Sequence, residues 1–187
     1  MDKDIPRCLE VLRSGGVIAY PTDTIWGLGC DATRADAVEK IYSIKQRSQA
    51  QSLLILLEHE GQLTRYLKEV PEIAYQLIEV SDKPLTIIYP EARNLAPNLL
   101  AEDGSIGIRI VRDAFCEKLL AAFRKPIVST SANLHGEKSP AVFTEISEEI
   151  LKKVDYVVQW RQDDTSRSAA SSILKIGQKG EISIIRP

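Results

Sequence analysis

Four short stretches of this chain hold side chains that could do chemistry. Residues 21–24, Pro-Thr-Asp-Thr, bring two hydroxyls and a carboxylate directly after the apolar run 17–20. Such a loop is either a well-made polar turn or a set of groups waiting for a ligand. Residues 129–133, Ser-Thr-Ser-Ala-Asn, follow the apolar run 126–128 and offer three hydroxyls and an amide around a small residue. Short donors of this kind let backbone approach a ligand and can bind phosphate or ribose, although the same residues also make ordinary turns and caps. Lys45 and Arg47 end an amphipathic pattern that leaves the first loop. Cations there complement a helix dipole, or they reach a cleft at the edge of the following strand. Arg109 interrupts the apolar run 106–110, and Thr86 sits within 84–89. Each faces either solvent or a polar site, and threonine is in any case a good strand residue.

Other chemistry is disfavoured by spacing. Gly-Leu-Gly-Cys-Asp-Ala at 27–32 superficially matches a dinucleotide fingerprint, but six residues separate it from the preceding strand, where the fingerprint needs its first glycine. Close chain approach or positive φ is the better reason for these glycines. Ser131 and His135 are too close in sequence for a triad and lack the strained nucleophile elbow. His59 and His135 are the two histidines, far apart and without a nearby cysteine, so a structural zinc site is not expected.

The elements that must position these groups follow from periodicity. Ile5, Leu9 and Leu12 recur at helical spacing up to Gly15-Gly16. Thr33 to Asp36 resembles a capping box with Asp in place of Glu, and Ala37, Val38, Ile41 and Ile44 continue it. Pro71 suits a helix start, with Ile73, Leu77 and Val80 on one face. Asp113 and Ser147 are candidate caps. Residues 17–20, 53–57, 84–89, 105–110, 126–128 and 156–158 read as strands, and 171–185 as a hairpin turning at 177–180. Mixed strand neighbours predict an α/β fold with a twisted mixed sheet, parallel and antiparallel, and helices packed on it. With 187 residues, 44% apolar and 27% charged, the chain fits one globular domain. Its net charge of −2 disfavours wholesale duplex binding. Three cysteines without CxxC spacing, no signal-peptide core and no membrane-length apolar run lead to the expectation of a cytoplasmic protein without a membrane partner.

In order along the chain, GGVIAYPTDTIWGLGCDA, IYSIKQR, KPLTIIY, GSIGIRI, STSANLHGEKSP, SSILKI and IIRP resemble the YrdC-like threonylcarbamoyl-AMP synthase family in its short, single-domain form. The resemblance implies one YrdC-like domain over 1–187 with a large, positively lined central cavity. It implies a nucleotidyltransferase that joins L-threonine, bicarbonate and ATP, with Mg²⁺ accompanying ATP, into L-threonylcarbamoyladenylate and pyrophosphate. The product would pass to a downstream threonylcarbamoyl transferase complex that modifies tRNA. A direct contact with tRNA or double-stranded RNA is a further partner expectation. Carried over by position, Lys45 and Arg47 would be catalytic, and Thr24 and Ser131 would hold threonine or its carbamate. ATP would meet Lys45, Arg47, Thr86, Arg109, Ser131, Asn133 and Arg186. The chain departs from the family pattern at Gln46, Ser48, Gln51 and Ser52, at Lys83, and at Trp26, His135 and Leu56. The alternatives are a non-catalytic RNA-binding module of the same fold, or a carbamoyl-transfer enzyme with another acceptor.

Overall fold

The computed structural model describes residues 1–46 and 53–187. Arg47 and the departures at Ser48, Gln51 and Ser52 lie outside the described residues. The elements in chain order are α1 (Asp4–Arg13), β1 (Ile18–Tyr20), β2 (Gly27–Gly29), α2 (Ala35–Lys45), β3 (Leu54–Leu57), α3 (Leu63–Tyr66), α4 (Glu72–Val80), β4 (Leu85–Tyr89), β5 (Ile106–Ile110), α5 (Ala114–Phe123), β6 (Ile127–Ser131), α6 (Glu148–Lys153), β7 (Tyr156–Val157), β8 (Ser172–Ile176) and β9 (Ile182–Arg186). The strands form one sheet in the order β7-β1-β2-β6-β3-β5-β4-β8-β9. β1–β7, β3–β5 and β4–β8 pair parallel, and the other neighbours antiparallel. The expected mixed sheet is what forms.

The two faces of the sheet are covered unequally, and that asymmetry creates the site. One face carries Ile55 and Leu57, Ile87 and Tyr89, Ile108 and Val128, buried under α2, α3, α4 and α6. On the other face, Ile18, Tyr20, Leu56 and Ile127 are buried against Ile5, Leu12, Phe115 and Leu119 of α1 and α5. Side chains alternate along a strand, so the continuation of this second face is Leu54, Thr86, Ile88, Gly107, Arg109, Ser129 and Ser131. These residues line an open cavity of about 880 Å³.

Local chemistry sets the element ends. Gly15 has φ +78° just past α1, which is the left-handed geometry that glycine allows after a helix. The Asp113 carboxylate accepts from the Phe115 and Cys116 amides and caps α5, and the Ser147 hydroxyl accepts from Ile150 N to cap α6. Thr33 does not form the expected capping box. Asp31, two residues upstream, accepts from Thr33 N at 2.8 Å and Thr33 Oγ1 at 2.6 Å, so Arg34 becomes an extended cap without a side-chain bond. Val80 is also not on the buried face of α4; it is 72% exposed at the helix end. Gly27 and Gly29 are absent from the positive-φ residues, and close approach explains Gly29. A Cβ there would sit 2.7 Å from Tyr20 Cε1, 2.9 Å from Ile127 Cγ2 and 3.0 Å from Val128 O.

Gly29→Ala forces Tyr20 and Ile127 off the strand and presses on backbone, so it should cost about 1–3 kcal/mol in denaturant unfolding. Gly107→Ala meets Leu54 and Thr86 side-chain carbons at 3.3 Å and should cost less, because the cavity side is open.

Candidate active site

The β1–β2 loop turns its threonines into the cavity, and their protons can be assigned. A threonine hydroxyl has one proton to give. Thr22 Oγ1 donates its proton to the Ile25 carbonyl at 2.8 Å. The 2.9 Å contact between Thr22 Oγ1 and Thr24 Oγ1 must therefore use the proton of Thr24. Arg109 Nη1 in turn donates to Thr24 Oγ1 at 3.2 Å. The chain Arg109→Thr24→Thr22→Ile25 is directional, and what Thr24 has left is a lone pair. A ligand group that meets Thr24 has to be a donor.

Arg109 resolves the ambiguity of an arginine in an apolar strand. It lies on the cavity face of β5, in register with Leu56 of β3 and Thr86 of β4, and is 4% exposed. Its Nη2 forms an ion pair with Asp23 Oδ1 at 3.1 Å. Neither Asp23 Oδ1 nor Arg109 Nε has an aligned hydrogen bond among the described residues. Burial raises the Asp23 pKa above the ordinary carboxylate value, and the attraction of Arg109 only partly opposes this. Arg109 lines the cavity although its unused Nε is itself shielded from solvent, and a guanidinium in a cavity wall is suited to meet an anion.

The far wall is built by β4, β8 and β9. Thr86 Oγ1 and Ser171 Oγ share a 2.8 Å hydrogen bond. Arg186 donates from Nε and Nη2 to the Ser171 carbonyl at 2.9 and 2.6 Å. Lys175 pairs with Asp103 at 2.9 Å, and Glu102 and Asp103 line the same cavity, so the lining carries both signs of charge. Thr24, Thr86, Arg109, Ser131 and Arg186, all expected from the sequence, meet on this one cavity. Lys45 and Asn133 do not line it. Both are buried, and Lys45 Nζ donates to the carbonyls of Ser131 and Asn133. Arg47 lies outside the described residues. Sequence reasoning named Thr22, Asp23, Ser129 and Thr130 only as members of polar loops that could meet a ligand, and it gave no role to Ser171. Asp23 carried a signal, a carboxylate one residue from Thr24, but its partner is 86 positions away.

Comparisons with known proteins agree with this architecture. The Sua5/YciO/YrdC family model, described as "Telomere recombination", matches residues 10–187. A protein named Threonylcarbamoyl-AMP synthase from Pseudoalteromonas translucida (strain TAC 125) is 31% identical over 157 residues, covering 82% of this chain and 84% of that one. The structure of P. abyssi Sua5 complexed with L-threonine superposes with a TM-score of 0.88 at 24% identity over 100% of this chain. This chain spans only 54% of that longer one. E. coli YciO superposes with a TM-score of 0.86 at 24% identity, over 100% of this chain and 89% of its own.

Removing one partner of the buried Arg109–Asp23 pair strands the other. Arg109→Met should cost about 3–5 kcal/mol at pH 7. Without Arg109 the Asp23 pKa rises further, and the penalty of a raised carboxylate is present above its folded pKa and lost as pH falls through it. Denaturation at pH 7 and pH 5 should therefore show the deficit of Arg109→Met shrinking at the lower pH.

Proposed function

The chain belongs to the Sua5/YciO/YrdC family, and from that premise we propose that it makes L-threonylcarbamoyladenylate from L-threonine, bicarbonate and ATP, releasing pyrophosphate, for threonylcarbamoyladenosine modification of tRNA. The observation that carries this reading is the pairing of an acceptor-only hydroxyl, Thr24, with a buried guanidinium, Arg109, on one cavity wall. An amino acid presents the matching pair of a nitrogen donor and a carboxylate. The relative named as a threonylcarbamoyl-AMP synthase and the L-threonine complex of P. abyssi Sua5 supply the identity of that amino acid.

The threonine carboxylate is placed at Arg109 and the amine at Thr24. The neutral amine captures carbon dioxide derived from bicarbonate, forming a carbamate and releasing a proton. The carbamate keeps an N–H, so its contact with the Thr24 lone pair survives the step. A carbamate oxygen then attacks the α-phosphorus of ATP; that O–P bond forms as the bond to the leaving pyrophosphate breaks. Both reactants are anionic, and fixed cations offset their repulsion. Arg109 meets the threonine carboxylate, while Arg186 and Lys175, which line the same cavity from β8 and β9, would face polyphosphate. Ser131 and Thr86 supply hydroxyl donors to phosphate or carbamate oxygens. Positioning and preorganised electrostatics account for the rate, as in other phosphoryl transfers.

Mg²⁺ would enter on the polyphosphate. Among the described residues no group of three or more His, Cys, Asp or Glu side chains lies together to hold an ion, and Asp103 is already engaged by Ser105 N and Lys175. The ion would screen the charge of the leaving group.

Purified protein given its three substrates should yield threonylcarbamoyl-adenylate by mass spectrometry and equimolar pyrophosphate. RNA binding without either product would contradict the synthase reading. Thr24→Ser should retain activity, whereas Thr24→Val should raise the KM for threonine and lower kcat/KM about 10- to 100-fold.

A further inference from the structure

Lys45 has an unusual position for a lysine that contacts a ligand. It is 2% exposed, it ends α2, and it is absent from the cavity wall. Its ammonium lies 2.5 Å from the Ser131 carbonyl and 2.6 Å from the Asn133 carbonyl. Its own carbonyl accepts from His135 N at 3.0 Å. Burying an ammonium is costly unless dipoles replace its hydration. Here two carbonyls and the C-terminal end of the α2 dipole do so.

These bonds fix the turn that follows β6. The peptide joining Ser131 and Ala132 is held at both ends: its oxygen by Lys45, and its N–H by the Trp26 carbonyl at 3.0 Å. The peptide joining Asn133 and Leu134 is also held at both ends, its oxygen by Lys45 and its N–H by Glu137 Oε2 at 3.2 Å. With the 131–132 peptide plane set, the backbone that carries Ser131 in the cavity wall is held in place. Asn133 is fixed as well, its amide nitrogen donating to the Leu134 and Glu137 carbonyls at 2.8 Å each.

We propose that Lys45 is a positioning residue whose ammonium clamps the Ser131 and Asn133 carbonyls and so aims the 131–133 turn at the substrates, acting through Ser131 rather than by touching phosphate. The inference rests on the synthase reading above and changes the role that the sequence resemblance gives Lys45. A residue that works through another shares its effect with it, and the two losses do not multiply.

The test is a double-mutant cycle of Lys45→Met and Ser131→Ala, measured by threonine-dependent pyrophosphate release. The clamp predicts that each single variant loses about 10- to 100-fold in kcat, and that the double variant lies within about threefold of the worse single. The KM for ATP should move by less than about threefold in Lys45→Met, because no phosphate contact is removed. Multiplicative losses with a rising ATP KM would overturn it. Lys45→Arg, which keeps the charge, is the companion if the methionine variant does not fold. The clamp predicts a fall in kcat at unchanged ATP KM, since a planar guanidinium cannot reproduce the two short bonds of a compact ammonium, and full activity would overturn it. A wild-type protein that releases no pyrophosphate would defeat the synthase reading, and the clamp would then be judged by amide NMR. Shifts at Ala132 and Leu134 in the Lys45 variant support it, and unchanged shifts overturn it.

Discussion

The site depends on one buried guanidinium that three demands share. Arg109 is taken out of water on the cavity face of β5, where it pairs with Asp23 through Nη2, supports Thr24 through Nη1 and leaves Nε unused. A buried cation without a counter-charge would be too costly, and one fully neutralised would have nothing to offer a ligand. Asp23 supplies the counter-charge, and burial raises its pKa despite the attraction of Arg109, so desolvation and attraction oppose each other in the pair. The loop and the strand thereby lock each other. The hydrogen-bond polarity passed from Arg109 through Thr24 to Thr22 ends on a backbone carbonyl and makes the chemical character of the site one-sided.

A sheet with two well-covered faces would have no room for this arrangement. α1 and α5 bury only the Ile18, Tyr20, Leu56 and Ile127 part of their face. Beyond Leu56 the same face mixes Leu54 and Ile88 with Thr, Ser, Gly and Arg109. Gly107 keeps the floor low, and Ser129, Ser131 and Thr86 line it with hydroxyls. The change from apolar to mixed character along one sheet face marks where helix cover stops and ligand space begins. The opposite face, apolar under α2, α4 and α6, supplies the stability that the open half does not.

Much of this was legible in the sequence because the controlling interactions are local. The Asp113 and Ser147 caps, the glycine end of α1 and the closing hairpin each involve residues within a few positions. The pattern around Thr33 misled because a nearer competitor, Asp31, takes both of its donors. Arg109 stayed ambiguous for a different reason. Alternation shows that a side chain leaves the core face, but not whether the other face is water or a cavity, and Asp23 is too distant in sequence to reveal it. Lys45 illustrates the same limit more sharply. Its charge at a helix end looks like dipole compensation, and it does compensate, yet its ammonium also reaches carbonyls 86 and 88 residues away. Charge type and position were readable, whereas the partner that defines the role was not.

Arg109 and Thr24 together read an amino acid by its carboxylate and its nitrogen donor. Calorimetric titration of the protein with L-threonine and with L-threoninamide, which lacks only the carboxylate charge, tests it most directly. The amide should bind at least about tenfold more weakly, since a charge-assisted pair with the guanidinium is lost. Equal affinity for the two would contradict it.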